Sequence, residues 1–433
     1  MTKSRGGRCA AWTRALLVGT VLSGAIVAVP MSGAKADTQS EIDALKAENA
    51  ALREMIQNLS QDVQILQKSV NQATETATKA MESPKKPEKM VQSGRDIQVT
   101  VSGQANRMLF YADDGDQSQI FNADNKTSTS RLNVTGKGKI NDDLTAGATL
   151  EVELRSNDTS RVTMSQETEQ TAGVSFTERK AEIFLQSASL GTLWLGQGPQ
   201  AADGVTENDL SGTSVISASS LGQDQGAALM FRREGTNVSS GRTVGNLFNN
   251  FDVSRRDRIR YDTPDLAGFV GSISYSDFDI YDYALRYGGD FEGWKAVAAI
   301  GYTDMENQPT PSNNLNMSAA IRAPFGTSLQ GAYATQEVDV TGRNDADLWW
   351  IKLGHEFADL LPFGSTAFSI DYAETSDQAV NESEGSWWSF AAVQNIKKAS
   401  TELYFNIGQY SVDLPNIPTE DILIAGLGAR VRF

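Results

Sequence analysis

Apolar and polar positions change period twice along this chain. Ala15 to Pro30 is an apolar run, preceded by Lys3, Arg5, Arg8 and Arg14 and followed by the small-x-small triplet Ala34-Lys35-Ala36. The run is short of the ~20 residues a membrane-crossing helix needs, so residues 1–36 read as a secretory signal cut between Ala36 and Asp37. The next segment repeats every seven residues: Ile42, Asn49, Ile56, Val63 and Val70 in one series, and Leu45, Leu52, Leu59, Leu66 and Ala73 in the other. Such a seam without a wider apolar face must be covered by partner helices, so 37–82 is expected to be a coiled coil. A helix from Ile42 to Ala80 would be roughly 58 Å long at about 1.5 Å per residue. Pro84 and Pro87 end it, and residues 83–96, rich in Pro and Lys, read as a linker.

From residue 97 to residue 433 the period is two. Leu403, Phe405 and Ile407 oppose Glu402, Tyr404 and Asn406; Ala146, Ala148, Leu150 and Val152 oppose Thr145, Thr149, Glu151 and Glu153. About sixteen such segments follow one another, from 98–112 and 129–141 to 398–411 and 420–433. One apolar and one polar face per strand suits lipid outside and water inside. The connections alternate. Asn141-Asp142-Asp143, Pro264-Asp265-Leu266 and Asn395-Ile396-Lys397 are tight, whereas 113–128, 157–173, 304–313 and 376–384 are long and polar. Short turns on one side and long loops on the other separate a membrane barrel from a soluble sandwich. Aromatic pairs at strand ends, Trp349-Trp350 and Trp387-Trp388, are expected in interfacial girdles. The predicted fold is therefore an all-β transmembrane barrel of about 16 antiparallel strands, residues 97–433, preceded by an α-helical coiled coil. An even strand number places both barrel termini on the short-turn side.

Charge and composition narrow the function. The formal net charge is −16 and the isoelectric point about 4.7, which argues against nucleic acid as a partner. Removing residues 1–36 with their five positive charges takes the net charge from −16 to about −21. A mean hydropathy of −0.34 does not exclude a barrel, because half of each strand faces water. The one cysteine, Cys9, lies in the expected signal. There is no G-x-S-x-G elbow, P-loop or paired metal-ligand motif, so neither an enzyme nor a cofactor is expected. The single histidine, His355, lies near a strand end. It would be the only candidate base for a barrel enzyme of the Ser–His kind.

Several motifs, in order, resemble the Gram-negative general porin family. Ser130-Arg131-Leu132-Asn133-Val134-Thr135-Gly136 followed by Asn141-Asp142-Asp143-Leu144-Thr145-Ala146-Gly147 is similar to its second and third strands. Ser189-Leu190-Gly191-Thr192-Leu193-Trp194-Leu195-Gly196-Gln197 resembles the strand entering the constriction loop. Arg258-Ile259-Arg260-Tyr261-Asp262-Thr263-Pro264 with Gly268-Phe269 resembles the strand leaving it. The chain ends in Arg430-Val431-Arg432-Phe433, similar to the terminal-phenylalanine signal for the barrel-insertion machinery. The coiled coil is outside the general family's plan and is similar to N-terminal helices of some other porins, including phosphate-selective ones.

The resemblance implies a homotrimer in outer-membrane lipid, passing small hydrophilic solutes. The heptad itself, with Ile at one seam position and Leu at the other, favours two strands; the trimer rests on the barrel. The coil is expected in the periplasm, where it could approach the cell wall. The family folds one long loop into the lumen, and 198–255 is the candidate. Its acids Asp203, Glu207, Asp209 and Asp224 are expected to face a basic wall. By strand parity that wall offers Arg131, Arg155, Arg258, Arg260 and Arg286, with Arg179 ambiguous between faces. Charge rings of this kind set selectivity. The acidic loops and coil predict a weak preference for cations that fades as salt rises. Rival readings are a substrate-selective channel, such as one for phosphate, which needs a ladder of inward basic residues, and a structural tether or adhesin that works through its coil.

Overall fold

The computed structural model describes residues 91–92, 97–166, 176–307 and 312–433. The expected signal and heptad segment lie outside the described residues. In chain order the strands are β1 (Val91–Gln92), β2 (Ile97–Asp113), β3 (Ser118–Asp124), β4 (Arg131–Lys139), β5 (Leu144–Leu154), β6 (Phe176–Ser187), β7 (Gly191–Pro199), β8 (Met230–Arg232), β9 (Ser239–Thr243) and β10 (Arg255–Asp262). They continue with β11 (Phe269–Ser276), β12 (Ile280–Phe291), β13 (Trp294–Asp304), β14 (Ser312–Arg322), β15 (Thr327–Val338), β16 (Ala346–Leu361), β17 (Gly364–Ser376), β18 (Glu384–Ile396), β19 (Thr401–Asp413) and β20 (Ile422–Arg432).

Sixteen of these strands form a closed antiparallel barrel. Closure is made by β2, whose one edge pairs with β20 from Gln104↔Arg432 to Asp113↔Leu423 and whose other edge pairs with β4 from Ile97↔Gly138 to Gln104↔Arg131. Closing the sheet removes the unpaired edges that an open one would expose. Among the described residues no helix is long and apolar enough to cross a membrane.

The alternation read from the sequence sorts onto the two faces as expected. On β19, Leu403 and Phe405 are exposed, while Glu402, Tyr404 and Asn406 are buried. Elsewhere Ile351, Leu353 and Ile370 are exposed, and Lys352, Asp371 and Ser389 are buried. A soluble sandwich would invert this. Apolar groups face outward because hydrocarbon is the outer solvent, and polar groups face a polar interior.

Three details differ from the sequence reading. Residues 113–128 are not one polar loop. After a tight turn, β3 continues the wall by pairing with β2 from Arg107↔Asp124 to Asp113↔Ser118. β3 and β4 share that edge of β2, and residues 125–130 detour inward between them, with Asn125 Nδ2 donating to Val215 O at 2.9 Å. Second, the tryptophan pairs do not both belong to a girdle. Trp349 and Trp388 are exposed on the outer face, but strand alternation turns Trp350 and Trp387 into the lumen, where they are buried. Third, the interior is apolar along one side. Trp350, Trp387, Tyr410, Ile422, Ile424, Met108 and Phe110 form one cluster with Val215, Ile216, Leu221, Leu229, Phe231, Leu247 and Phe248 from the segment between β7 and β10.

The chain end follows the expected parity. Phe433, Val431 and Leu427 are exposed. Phe433 exchanges two backbone hydrogen bonds with Gly103, at 2.9 and 3.0 Å. A Cβ at Gly103 would sit 2.7 Å from Cζ of the Phe433 ring, so the glycine makes room for that ring.

Candidate pore constriction

The strands β7 and β10 pair along their length, from Arg255↔Pro199 to Asp262↔Thr192, and the 200–254 segment that joins them turns into the barrel. Its course can be followed from its anchors. Ala201 N donates to Ser274 Oγ at 2.8 Å and Ala202 N to Asp282 Oδ1 at 2.6 Å, on β11 and β12. Asn208 Nδ2 donates to Ser318 Oγ on β14 at 3.0 Å. Lys352 on β16 donates to Asp209 Oδ2 at 2.7 Å and to Ser217 O at 2.8 Å. Ser217 Oγ reaches Asp371 on β17 at 2.6 Å, and Asn406 on β19 donates to Gln225 Oε1 at 2.9 Å. The loop thus travels around the inner wall from β11 to β19, and its apolar half joins the cluster described above. A short helix, α1 (Leu221–Asp224), and the β8–β9 hairpin lie in that half.

Arg258 secures the loop's base. Its guanidinium donates to Pro199 O at 2.9 Å, Gly196 O at 3.0 Å and Glu182 Oε2 at 2.5 Å, with its side chain only 2% exposed. A Cβ at Gly198 would lie 2.2 Å from that carboxylate and 2.8 Å from the guanidinium, so only glycine fits beside the pair.

The wall that the loop leaves uncovered carries most of the charge. On β4 and β5, Arg131 lies 3.7 Å from Glu151. Arg179 on β6 bonds Glu151 at 2.7 Å and Glu153 at 3.1 Å. It faces inward because a β-bulge at Glu151/Val152 shifts the register of β5 against β6, which is why simple parity left it ambiguous. Arg260 pairs with Asp262 at 2.8 Å and donates to Gln200 O at 2.8 Å. Arg286 donates to Asp203 O at 2.8 Å, and Arg255 lies 3.9 Å from the Asp203 carboxylate. Among the described residues, Arg131 Nε, Arg255 Nε and Arg286 Nη1 have no hydrogen-bonding partner in the protein.

On the loop side stand Asp203, Glu207 and Asp252. Asp252 accepts from Gly204 N at 2.9 Å. Glu207 is exposed to the lumen, yet protein encloses it and disfavours its charge, and Asp224 and Asp203 repel it, so its carboxyl is pushed up to about 7 against the pull of Arg255 and Arg179. Asp252 is pushed well above the ordinary range by enclosure and by Glu207 and Asp203. Asp203 is raised by enclosure and held down by Arg255, Arg179, Arg260 and Arg286.

The structure brings together Arg131, Arg260, Arg286, Asp203 and Glu207 of the residues expected at a constriction. Four others stand elsewhere. Arg258 is buried beneath the loop's base rather than open to the lumen. Asp209 is spent on Lys352, which is 0% exposed. Arg155 sits beside Asp158 at 3.7 Å, near the outer loops. Asp224, the last residue of α1, accepts from Ser220 Oγ at 2.7 Å and is raised to about 6 by burial, with Lys126 and Asp158 close by. Asp252 and Arg255 were not among the expected residues, and Arg179 was named only as ambiguous between faces. The run Arg255-Arg256-Asp257-Arg258 at the loop's exit, with Asp252 just before it, was the available signal. His355 lies on the outer face, its Nδ1 2.8 Å from Thr327 Oγ1 and its ring 4.2 Å from that of Phe357. Among the described residues no group of three or more His, Cys, Asp or Glu could hold a metal ion.

A closed antiparallel barrel with an apolar outer face, a charged lumen and one long loop folded inside defines an outer-membrane channel. The family model for Gram-negative porins matches residues 83–413, and the chain belongs to that family; it is an outer-membrane channel for passive diffusion. Solved structures agree in fold. An anion-selective porin from Comamonas acidovorans is similar at TM-score 0.54 and 17% identity, covering 78% of this chain and 100% of that one. OmpT of Vibrio cholerae, in its trimer form, gives 0.51 and 13%, covering 78% and 100%. OmpF of Salmonella typhi, in complex with daunomycin, gives 0.50 and 15%, covering 78% and 98%. No curated protein matches the sequence.

Proposed function

We propose that Asp203, Glu207 and Asp252 on the loop, and Arg131, Arg179, Arg255, Arg260 and Arg286 on the wall, form the eyelet of a general diffusion pore for small hydrophilic solutes and ions. The observation that carries this is the exposed Glu207 carboxylate, held in the lumen within the field of Arg255 and Arg179. Opposed charges orient polar solutes and set ion preference without a binding pocket. The wall arginines alternate with Glu151, Glu153 and Asp262, which favours a nearly balanced eyelet over the basic ladder a phosphate-selective channel needs. A tether would not need a charged lumen.

Single-channel recording with a salt gradient tests it. Glu207 carries its negative charge above about pH 7 and loses it below. Lowering the pH from 8.5 to 5.5 therefore removes negative charge from the eyelet and moves the reversal potential toward anions. Glu207→Gln should move the reversal potential toward anions at pH 8.5 and shrink the change on acidification to what Asp252 contributes. An unchanged reversal potential in Glu207→Gln and in an Asp203→Asn/Glu207→Gln double variant would place the eyelet elsewhere.

We further propose a mature chain that begins at Asp37 and assembles as a homotrimer, with the coil of 37–82 in the periplasm. The heptad, the family and the trimeric relative support this reading, and the mass of the N-terminal peptide and migration on native gels test it. His355 is read as an interfacial residue; loss of a lipid- or peptide-cleaving activity in His355→Ala would reverse that.

A further inference from the structure

The loop that lines the lumen also leaves it. Residues 227–245 form a two-stranded ribbon. Met230 pairs with Thr243 and Arg232 with Ser239. Below them the ladder runs on, with Val244 N donating to Leu229 O at 3.0 Å and Gly245 N to Ala227 O at 2.9 Å. The two ends of the ribbon meet different surroundings. At the inner end Leu229, Phe231, Val244 and Leu247 are at most 1% exposed, within the apolar cluster that fills one side of the lumen. At the outer end Thr236 N donates to Arg233 O at 3.0 Å and closes a turn, in which Gly235 supplies the positive φ of 66°. Residues 233–239 are all exposed. Ala227 and Glu234 are seven residues apart, roughly 23 Å along a strand.

Two connections at the outer mouth hold that exposed end. In the one between β19 and β20, Glu420 N donates to Arg232 O at 2.9 Å and accepts its counterpart through Glu234 N to Pro418 O at 3.0 Å. Arg233 thus faces Thr419 as an antiparallel pair, and the connection runs along the free edge of β8. Gly235 N donates to Glu420 Oε1 at 2.7 Å. In the turn between β2 and β3, Asp114 Oδ2 accepts from Arg232 Nε at 2.8 Å. A Cβ on Gly115 would stand 2.6 Å from Cβ of Glu420, so this turn lies against the same connection. The loop is therefore gripped from inside by apolar burial and from outside by hydrogen bonds and one ion pair. The grips differ in strength. Exposed polar contacts compete with water and open at low cost, whereas the buried cluster does not.

We propose that the 227–245 ribbon is a lever between the outer mouth and the eyelet: its seam with 418–420 holds the inward loop still, and parting that seam loosens it. The inference rests on the reading of residues 200–254 as the constriction loop. The cross-strand bonds of the ribbon make its two limbs move together. Its inner end continues directly into the limb that carries Asp252 and Arg255, seven and ten residues beyond Gly245. A displacement of the exposed tip is thus passed to the charged groups of the eyelet, and the 414–421 connection sets how far the tip can move.

The test uses the full chain with Cys9→Ser, Arg233→Cys and Thr419→Cys. Facing residues of a non-hydrogen-bonded antiparallel pair have Cα atoms about 4.5 Å apart, within reach of a disulfide. Thiol labelling of the unfolded protein reports whether the bond forms. Single channels are then recorded in a planar bilayer, first oxidised and then with dithiothreitol on the side of the outer mouth. The expected result is a disulfide that forms, and current noise several-fold lower before reduction than after it at similar mean conductance. A second variant replaces 415–418 by two glycines, which removes the seam's partner, and its noise should be several-fold above the parent's. If the outer connection were itself the moving part, shortening it would quieten the channel and the lever would be wrong. Failure of the disulfide would refute the pairing, and equal noise before and after reduction would refute the coupling. The eyelet has its own readout in the reversal potential of Glu207→Gln. A potential that moves while the noise does not would sink the lever alone. Noise that responds while the potential stays put would overturn the eyelet reading, and with it the lever as a control of the eyelet.

Discussion

The buried pair Lys352–Asp209 is the sharpest place to ask what holds the loop inside the barrel. Lys352 has no exposed side-chain surface and Asp209 is 4% exposed, at a separation of 2.7 Å. Lys352 also donates to Ser217 O, so one ammonium grips the loop at two points eight residues apart. Replacing lysine by methionine preserves most of the volume and removes the charge. Asp209 is then left buried with nothing to balance it, at a cost of about 3–5 kcal/mol. That shifts the equilibrium between docked and released loop by a factor on the order of 10² to 10⁴. The damage is an orphaned charge and not a lost attraction, so Lys352→Met/Asp209→Asn should recover most of it. The readouts are current noise in single-channel recordings and melting of the assembled protein. Lys352→Met should flicker and melt earlier, whereas the double variant should be close to the parent. If Lys352→Met were as quiet and as heat-resistant as the parent, the loop would be held by its apolar half alone. If the double variant were worse than the single one, the charge argument would be wrong.

Other expectations concern the two chain ends and the loop's base. Deleting Phe433 removes the ring seated over Gly103 and should lower the amount inserted in the outer membrane, measured by surface labelling, without changing export across the inner membrane. Deleting 38–92 should leave single-channel conductance within about twofold while lowering the temperature at which the oligomer separates; a collapse of conductance would mean that this segment enters the lumen. Gly198→Val places a side chain against Glu182 and Arg258 and should destabilise the loop's base by roughly 1–3 kcal/mol, visible as faster proteolysis of the loop.

Much of the barrel was legible because its physics is strictly local. Each strand must offer lipid one face and the lumen the other, and Leu403, Phe405 and Ile407 against Glu402, Tyr404 and Asn406 display this without any tertiary knowledge. The eyelet was only half legible for a physical reason too. Parity tells which way a side chain points but not what it meets. Arg258 points inward as parity requires, yet the loop's own base covers it, so it secures the backbone instead of lining the channel. Asp209 is acidic and on the right loop, but an inward lysine on β16, six strands beyond the loop's exit, claims it. Arg179 defeated parity because a bulge adds one residue to β6, a feature with no mark in the local alternation.

The sequence also marks where the loop lies. A strand that faces water inside and lipid outside should be apolar on one face only. Parts of β18 and β20 are apolar on both: Phe390-Ala391-Ala392-Val393 and Ile422-Leu423-Ile424-Ala425 run without a polar break. The outward members of these runs need no explanation. The inward ones, Ala391, Val393, Ile422 and Ile424, would be exposed to lumenal water unless something covered them. What covers them is the apolar half of the loop, Val215 to Phe248, in the same cluster. By contrast β4 and β5 keep clean alternation, with Arg131, Asn133, Glu151 and Glu153 inward, and the loop leaves that wall bare. Loss of alternation therefore marks the loop's landing site, and retained alternation marks the wall left to the solute path. Phe248 gives the point a measurable edge. It is fully buried and packs against Trp387 at 5.7 Å and Tyr410 at 5.3 Å between ring centroids. Phe248→Ala should cost about 3–5 kcal/mol and loosen the apolar half of the loop, read as greater current noise. Phe405→Ala on the lipid side should leave the current trace unaltered. Equal effects from the two would mean that the inward apolar residues are packing the barrel wall and not receiving the loop.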